Sequence, residues 1–394
     1  MTYQFASRMG KTPRSFIREI LKVTEDPKII SFGGGLPNPA LFPVEEIREA
    51  ARDVLSEDGK TALQYSTTEG YLPLREFIAE RYRKRAGLEV SPHNILITNG
   101  SQQCLDLIGK ICIDRDDPVA IERPGYLGAI QAFSLYEPCF HPVELLSDGP
   151  DLDALHHVIE MYSPKIFYGV PNFQNPSGIS YSGEKRSEVA RILSGTGTLY
   201  IEDDAYGELR FRGDDLPLIA RYLPEQGVIT GSFSKIIAPG MRMSWIVAPP
   251  EIFSQVVTAK QASDLHSNYL TQRIIHRFLM NNDIESHIRR IKESYRRQRD
   301  TMVKAIEEQF PPEVTFTRPD GGMFLWVTLP GGFSSMDLFD SAIKDHVAFV
   351  PGNPFYTDGG GSNSMRLNYS NADDEMIVEG IRRLGNAIRK MLEQ

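Results

Sequence analysis

From about residue 69, short apolar runs alternate with stretches in which apolar positions return every three or four residues. The runs are NILIT (94–98), PVAIE (118–122), KIFYGV (165–170), TLYIE (198–202), VITGS (228–232) and SWIVA (244–248). Their lengths suit strands, and the periodic stretches suit amphipathic helices, expected near 70–86, 101–113, 151–161 and 183–194. This alternation predicts an α/β architecture, a mostly parallel sheet covered by crossover helices. After about residue 282 the text changes to a long charged helix, IESHIRRIKESYRRQRDTMVKAIEEQF. VTFT, MFLWVTL, a short helix, VAFV, MRLNY and a closing helix follow, which predicts a smaller α+β domain. The expected division is an N-terminal segment (1–44) against the small domain and the mouth of a site, a large domain (45–281) and a small domain (282–394).

Composition narrows the functions open to such a chain. Its 394 residues, 41% hydrophobic and 24% charged, can bury a large core in at least two domains. With 52 acidic against 43 basic residues the formal charge is −9, so no cationic excess is available for a nucleic-acid partner. Small-molecule chemistry is the default. Cys104, Cys112 and Cys139 have neither metal-ligand spacing nor the makings of a disulfide framework, which fits a reducing cytoplasm and no metal. The opening MTYQFASRMGKTPRSFIREIL has no apolar core of a signal peptide, and no stretch approaches the roughly 18 apolar residues of a membrane span. Gly359 to Ser362 reads as a turn.

In open parallel sheets, ligands bind beyond the carboxyl ends of the strands. After NILIT comes Asn99-Gly100-Ser101-Gln102-Gln103, a glycine turn opening a helix whose free N–H groups and dipole suit a phosphate. Taken alone, Ser101 is an ordinary helix cap. After TLYIE come Asp203, Asp204, Ala205 and Tyr206; after VITGS come Phe233, Ser234 and Lys235, then Pro239, Gly240, Met241 and Arg242. A lone lysine here is an ordinary surface residue. Its company changes that: a Schiff-base lysine must be neutral to attack an aldehyde, and a nearby cation with partial desolvation favours the neutral form. Asp203 is placed to keep a pyridinium nitrogen protonated.

These motifs, with GGLPNP (34–39), QYS (64–66), RPGY (123–126), PNFQNPSG (171–178), EDDAYGEL (202–209), PGMR (239–242) and MRLNYS (365–370), resemble the fold-type-I aminotransferases over nearly the whole chain. The subgroup most resembled contains the 2-aminoadipate and kynurenine aminotransferases and the aminotransferase-like domain of certain bacterial transcription regulators. The resemblance implies pyridoxal 5'-phosphate as cofactor, attached to Lys235, with Asp203 at the pyridine nitrogen. It further implies Asn175 and Tyr206 on the ring's phenolic oxygen, and Tyr126 stacked on the ring face. Ser101, Gln102, Ser232, Ser234 and Arg242 would hold the phosphate. Tyr65, within QYS, would reach the phosphate of the neighbouring subunit, making a homodimer with shared active sites. Arg366 would take the substrate α-carboxylate with help from Asn175, and Gly35 would flank the substrate. Arg18, in the N-terminal segment, is either a residue of the mouth that helps admit an acidic and a different side chain in turn or an ordinary surface arginine. Two departures stand out: Ala205 where many relatives have Pro, and Ser244 where Gly often follows the phosphate arginine.

The expected reaction moves the amino group of an amino acid to a 2-oxo acid, by analogy 2-oxoglutarate, in a ping-pong exchange. Lys235 acts as general base and acid on the α-proton. A pyridoxal-phosphate-dependent lyase or decarboxylase on amino acids is the enzymatic alternative, because fold alone does not fix which bond breaks. A ligand-sensing module, as in the related regulators, is the non-enzymatic one. The stretch before residue 31 is expected to be too short for their DNA-binding part.

Overall fold

Apolar runs that lack a polar face form strands buried on both sides, the condition of a sheet covered by helices on each face. The computed structural model describes residues 3–11 and 26–393. After the helix Ser7–Lys11 come strand β1 (Ile30–Ser31) and the helices Val44–Ala62 and Leu72–Ala86. Eight strands then make the main sheet: β2 (Ile95–Thr98), β3 (Pro118–Arg123), β4 (Cys139–Leu146), β5 (Gly149–Pro150), β6 (Ile166–Gly169), β7 (Leu199–Asp203), β8 (Gly227–Ser232) and β9 (Ser244–Val247). Their spatial order is β2-β9-β8-β7-β6-β3-β4-β5. The five strands from β8 to β4 are parallel, whereas β9 runs against both of its neighbours. Two reversals at β9 therefore return β2 to the direction of β8, so the carboxyl ends of β2, β7 and β8 share one edge.

The apolar-run criterion does not select β4. Its sequence, CFHPVELL, carries a histidine, a proline and a glutamate and buries only Val143 and Leu145, because only the two-residue β5 covers its outer side. The helices Val44–Ala62, Leu127–Ser134, Pro250–Ser263 and Tyr269–Asn281 also lie outside the expected set.

Beyond the long helix Ile284–Gln309, whose N-cap Asp283 accepts from Glu285 N and Ser286 N, come β10 (Thr315–Phe316), β11 (Phe324–Thr328), β12 (Val347–Ala348), β13 (Val350–Pro351) and β14 (Ser364–Asn368). The antiparallel order is β10-β11-β14-β13. VAFV is thus split between two sheets: Val347 pairs with Ile30 of β1, and Val350 with Arg366 of β14. The amide of Asn368 also donates to the Phe32 carbonyl (2.8 Å), which brings Gly33 and Gly35 to the strand that carries Arg366. No helix among the described residues is long and apolar enough to cross a membrane.

Candidate active site

β7 delivers Asp203 and β8 delivers Ser232 at one edge of the sheet, and Lys235 follows three residues later. Lys235 Nζ donates to the Gly35 carbonyl (2.9 Å) and lies 5.9 Å from the centre of the Tyr206 ring. Burial, then the Arg366 and Arg242 guanidiniums, push its ammonium down to about 8, against the pull of Asp203. Asp203 is 4% exposed and accepts from Tyr168 OH (2.7 Å) and Thr230 Oγ1 (3.0 Å). Burial raises its pKa and the two hydroxyls oppose the rise, so both oxygens are fixed by donors that favour the anion.

The loop after β6 carries Asn175. Its Nδ2 donates to Tyr206 OH (3.2 Å), and its Oδ1 accepts from Arg366 Nη1 (2.8 Å). Arg366 Nη2 donates to the Gly33 carbonyl (2.7 Å), and the guanidinium lies 4.4 Å from the Phe324 ring centre. Burial pushes Arg366 down to about 10, and its buried Nε has no hydrogen-bond partner among the described residues. The loop is anchored by buried Glu122, which accepts from Val170 N (2.9 Å), Gln174 Nε2 (3.0 Å) and Tyr181 OH (2.5 Å). Burial raises this carboxyl to about 7.

A third group of residues forms a cup beside Lys235. Ser101 is the first residue of the helix Ser101–Cys112, and Gly100, at φ +90°, is its N-cap without a side-chain hydrogen bond, so Ser101 is not the cap. Its hydroxyl lies 3.4 Å from Ser244 Oγ, which donates to Ser232 Oγ (2.8 Å), and Ser232 Oγ in turn accepts from Ser234 N (3.0 Å). The departure at Ser244 therefore adds a hydroxyl to the cup. Arg242, left-handed at φ +50°, donates to the Asn99 carbonyl (3.3 Å), and a Cβ on Gly100 would collide with its Nη2. Gln102 Nε2 donates to the Gly128 carbonyl (2.9 Å). Half-buried Tyr126 stands before the helix Leu127–Ser134, and burial pushes its phenol up to about 12, with Asp203 adding to the rise.

Lys235, Asp203, Asn175, Tyr206, Arg366 and Gly35 are thus linked by direct contacts or by charge, and Ser101, Ser232, Ser234 and Arg242 by the cup. Tyr65 is 78% exposed and makes a T-shaped contact with the His266 ring (5.8 Å between centres). Arg18 lies outside the described residues. Sequence reasoning missed Tyr168, Thr230 and Glu122. Each sits within or at the end of an apolar strand, where no local pattern distinguishes a functional polar group from an edge residue.

A buried amine of lowered pKa beside a hydroxyl-lined cup and a fixed carboxylate suits an aldehyde that carries a phosphate and a basic ring nitrogen. The family model for class I and II aminotransferases matches residues 27–384.

The chain belongs to that family.

This aminotransferase is 45% identical to 2-aminoadipate transaminase of Thermus thermophilus over 98% of its own length and 97% of that protein. It is 40% identical to aromatic-amino-acid aminotransferase 1 of Thermococcus litoralis, over 96% and 93% of the two chains. Among solved structures, the α-aminoadipate aminotransferase of Thermus thermophilus, complexed with N-(5'-phosphopyridoxyl)-L-leucine, superposes with a TM-score of 0.92 at 44% identity, covering 99% of this chain and 98% of that one. The family and this neighbour's phosphopyridoxyl ligand make pyridoxal phosphate the cofactor. The residues present fit it: the Ser101, Ser232 and Ser244 hydroxyls with Arg242, in a cup that a Gly100 Cβ would obstruct, supply phosphate donors, and the Lys235 amine supplies the nucleophile.

Proposed function

We propose that the aminotransferase passes an amino group from an amino acid to 2-oxoglutarate in a ping-pong cycle run by Lys235 as the proton carrier. The observation that carries this reading is the joining of Lys235, Gly35, Asn175 and Arg366 around one space by hydrogen bonds and by charge. Bound pyridoxal phosphate supplies the electron sink that makes the substrate α-proton acidic. Lys235, whose ammonium is disfavoured by burial and by the Arg366 and Arg242 guanidiniums, would take that proton and deliver it to the cofactor's aldehyde carbon, and the opposite half-reaction would run the same transfer in reverse. Asp203, whose anion the Tyr168 and Thr230 hydroxyls favour against its burial, would pair with the ring nitrogen, while Asn175 and Tyr206 would donate to the ring oxygen and Tyr126 would cover the ring face. Ser101, Gln102, Ser232, Ser234 and Arg242 hold the phosphate. Arg366 takes the α-carboxylate in two parallel hydrogen bonds beside Asn175. Gly35, whose carbonyl takes the Lys235 ammonium, would flank the substrate, and Arg18, outside the described residues, is the candidate for admitting an acidic and a different side chain in turn.

The unit is a homodimer in which Tyr65 serves the neighbour's phosphate, and 1–44, 45–281 and 282–394 are its domains. The exposure of Tyr65 supports the former, and the gathering of β2 to β9 in one sheet and β10, β11, β13 and β14 in another supports the latter. A cytoplasmic setting accords with the free cysteines Cys104, Cys112 and Cys139.

The test is a donor panel with 2-oxoglutarate on native protein and on Lys235→Ala. Native protein is expected to be yellow and to form glutamate, and the variant to lose both the visible band and turnover. Pyruvate with ammonia, or carbon dioxide, in place of glutamate would overturn transfer, and a borohydride-reducible linkage surviving in Lys235→Ala would overturn the lysine assignment.

A further inference from the structure

At the end of the helix Pro250–Ser263, the carboxylate of Asp264 gathers four hydrogen bonds. Lys260 Nζ donates to both oxygens (2.8 and 3.0 Å), and Oδ2 also accepts from Asn99 Nδ2 (2.6 Å) and Gln103 Nε2 (2.7 Å). Gln103 Oε1 accepts from the Asn99 amide (2.8 Å) and from Lys260 Nζ (3.1 Å). Asn99 is therefore gripped by its side chain and its backbone N–H from this side, while its carbonyl takes Arg242 Nη2 from the other (3.3 Å). It is the residue before Gly100, where β2 turns into the helix Ser101–Cys112.

The Lys260 side chain is fully buried. A buried ion pair is a poor explanation for stability, because well-packed apolar residues in its place often do as well. What apolar residues cannot do is orient Asn99. Leu265, next to Asp264, is held in the left-handed region at φ +67°, a conformation that persists for such a residue only where its surroundings overdetermine it. Lys260 directs its donors to Asp264 and Gln103, so it acts through the turn and not as a ligand.

We infer that Lys260 and Asp264 are a positioning pair for the phosphate turn, fixing Asn99-Gly100-Ser101 so that the helix N-terminus and the Ser101 hydroxyl meet the phosphate opposite Arg242. The inference rests on the proposed phosphate role of that turn and of Arg242. The pair sets how well the cup recognises phosphate and leaves the ring contacts of Asp203 and Tyr206 alone.

The test compares cofactor-stripped native protein, Lys260→Met with Asp264→Leu, Asn99→Ala and Arg242→Ala, each titrated with pyridoxal 5'-phosphate and with pyridoxal and each checked by thermal unfolding. The double variant is expected to lose about 10- to 100-fold in affinity for pyridoxal 5'-phosphate, the scale on which supporting residues act. Its affinity for pyridoxal should stay within about twofold. Asn99→Ala keeps the ion pair intact, so it folds even if the pair is needed for stability, and it should show a smaller loss confined to the phosphorylated ligand. A loss shared equally by both ligands, or an unchanged preference for the phosphorylated one, in Asn99→Ala or in a folded double variant, overturns the inference. The phosphate assignment itself fails separately, if Arg242→Ala retains the native preference.

Discussion

Arg366 is 1% exposed, and a full charge that deep must be compensated. Its hydrogen-bond partners, the Gly33 carbonyl and the Asn175 amide oxygen, are neutral, and no carboxylate pairs with it among the described residues. An incoming α-carboxylate supplies the missing anion. Arg366→Ala should therefore keep the cofactor and lose on the order of 2–5 kcal/mol of transition-state binding, read as kcat/KM for both amino and oxo acid. The same variant tests the electrostatics at Lys235. Arg366 is a cation that disfavours the ammonium, so removing it raises the lysine pKa above about 8, and capture of cofactor by the stripped protein should move to higher pH. Unchanged efficiency with every substrate and an unmoved capture profile would remove Arg366 from the site. At this scale the sequence was readable wherever a functional residue follows a strand in a distinctive string, as Lys235 does in GSFSK and Asn175 in PNFQNPSG. Tyr168, Thr230 and Glu122 were not, because each looks like an ordinary strand residue until the fold points its side chain at Asp203 or at the 170–178 loop.

At the level of elements, the turn between β2 and the helix Ser101–Cys112 shows how backbone geometry is committed to the ligand. Gly100 has φ +90° and ψ 160°, a region essentially closed to side chains, and Arg242 fills the place of its Cβ. Gly100→Ala should cost about 1–3 kcal/mol of stability from the backbone alone. It should also displace Arg242 and weaken pyridoxal phosphate binding, measured by thermal unfolding with and without cofactor. Equal stabilisation by cofactor in native and variant proteins would mean that the turn does not hold the phosphate. The helices read from apolar period agree with those observed at Leu72–Ala86, Ser101–Cys112, Leu152–Tyr162 and Gly183–Leu193 within a residue or two. The six expected strands are all present, yet the antiparallel sense of β9 was not legible: strand direction is set by pairing across the sheet, and SWIVA reads the same either way. β4 and the division of VAFV were hidden for a related reason, since burial there depends on which neighbour arrives.

For the whole molecule, the decisive question is where Tyr65 acts. Its side chain, 78% exposed, packs at right angles to the His266 ring, and Leu63 and Leu265, close in sequence to these two residues, are exposed as well. Ser66 N, next in sequence, lies 3.4 Å from His266 Nε2, which ties this loop to the segment that follows Asp264. A phenol there can donate one hydrogen bond to a phosphate in the facing subunit, and a two-fold arrangement would repeat the contact in both directions. Mixing Lys235→Ala with a Tyr65→Ala variant, chosen at a cofactor concentration where the latter is inactive, distinguishes the geometries. In a shared-site heterodimer, one site pairs an intact Lys235 with the partner's intact Tyr65 and works, while the other carries both lesions. If Tyr65 instead serves its own chain, every site keeps one lesion and no activity returns. Recovery to about half the native activity per heterodimer is the expected outcome, with the mixed species verified by mass, and an inactive verified heterodimer would return Tyr65 to its own subunit.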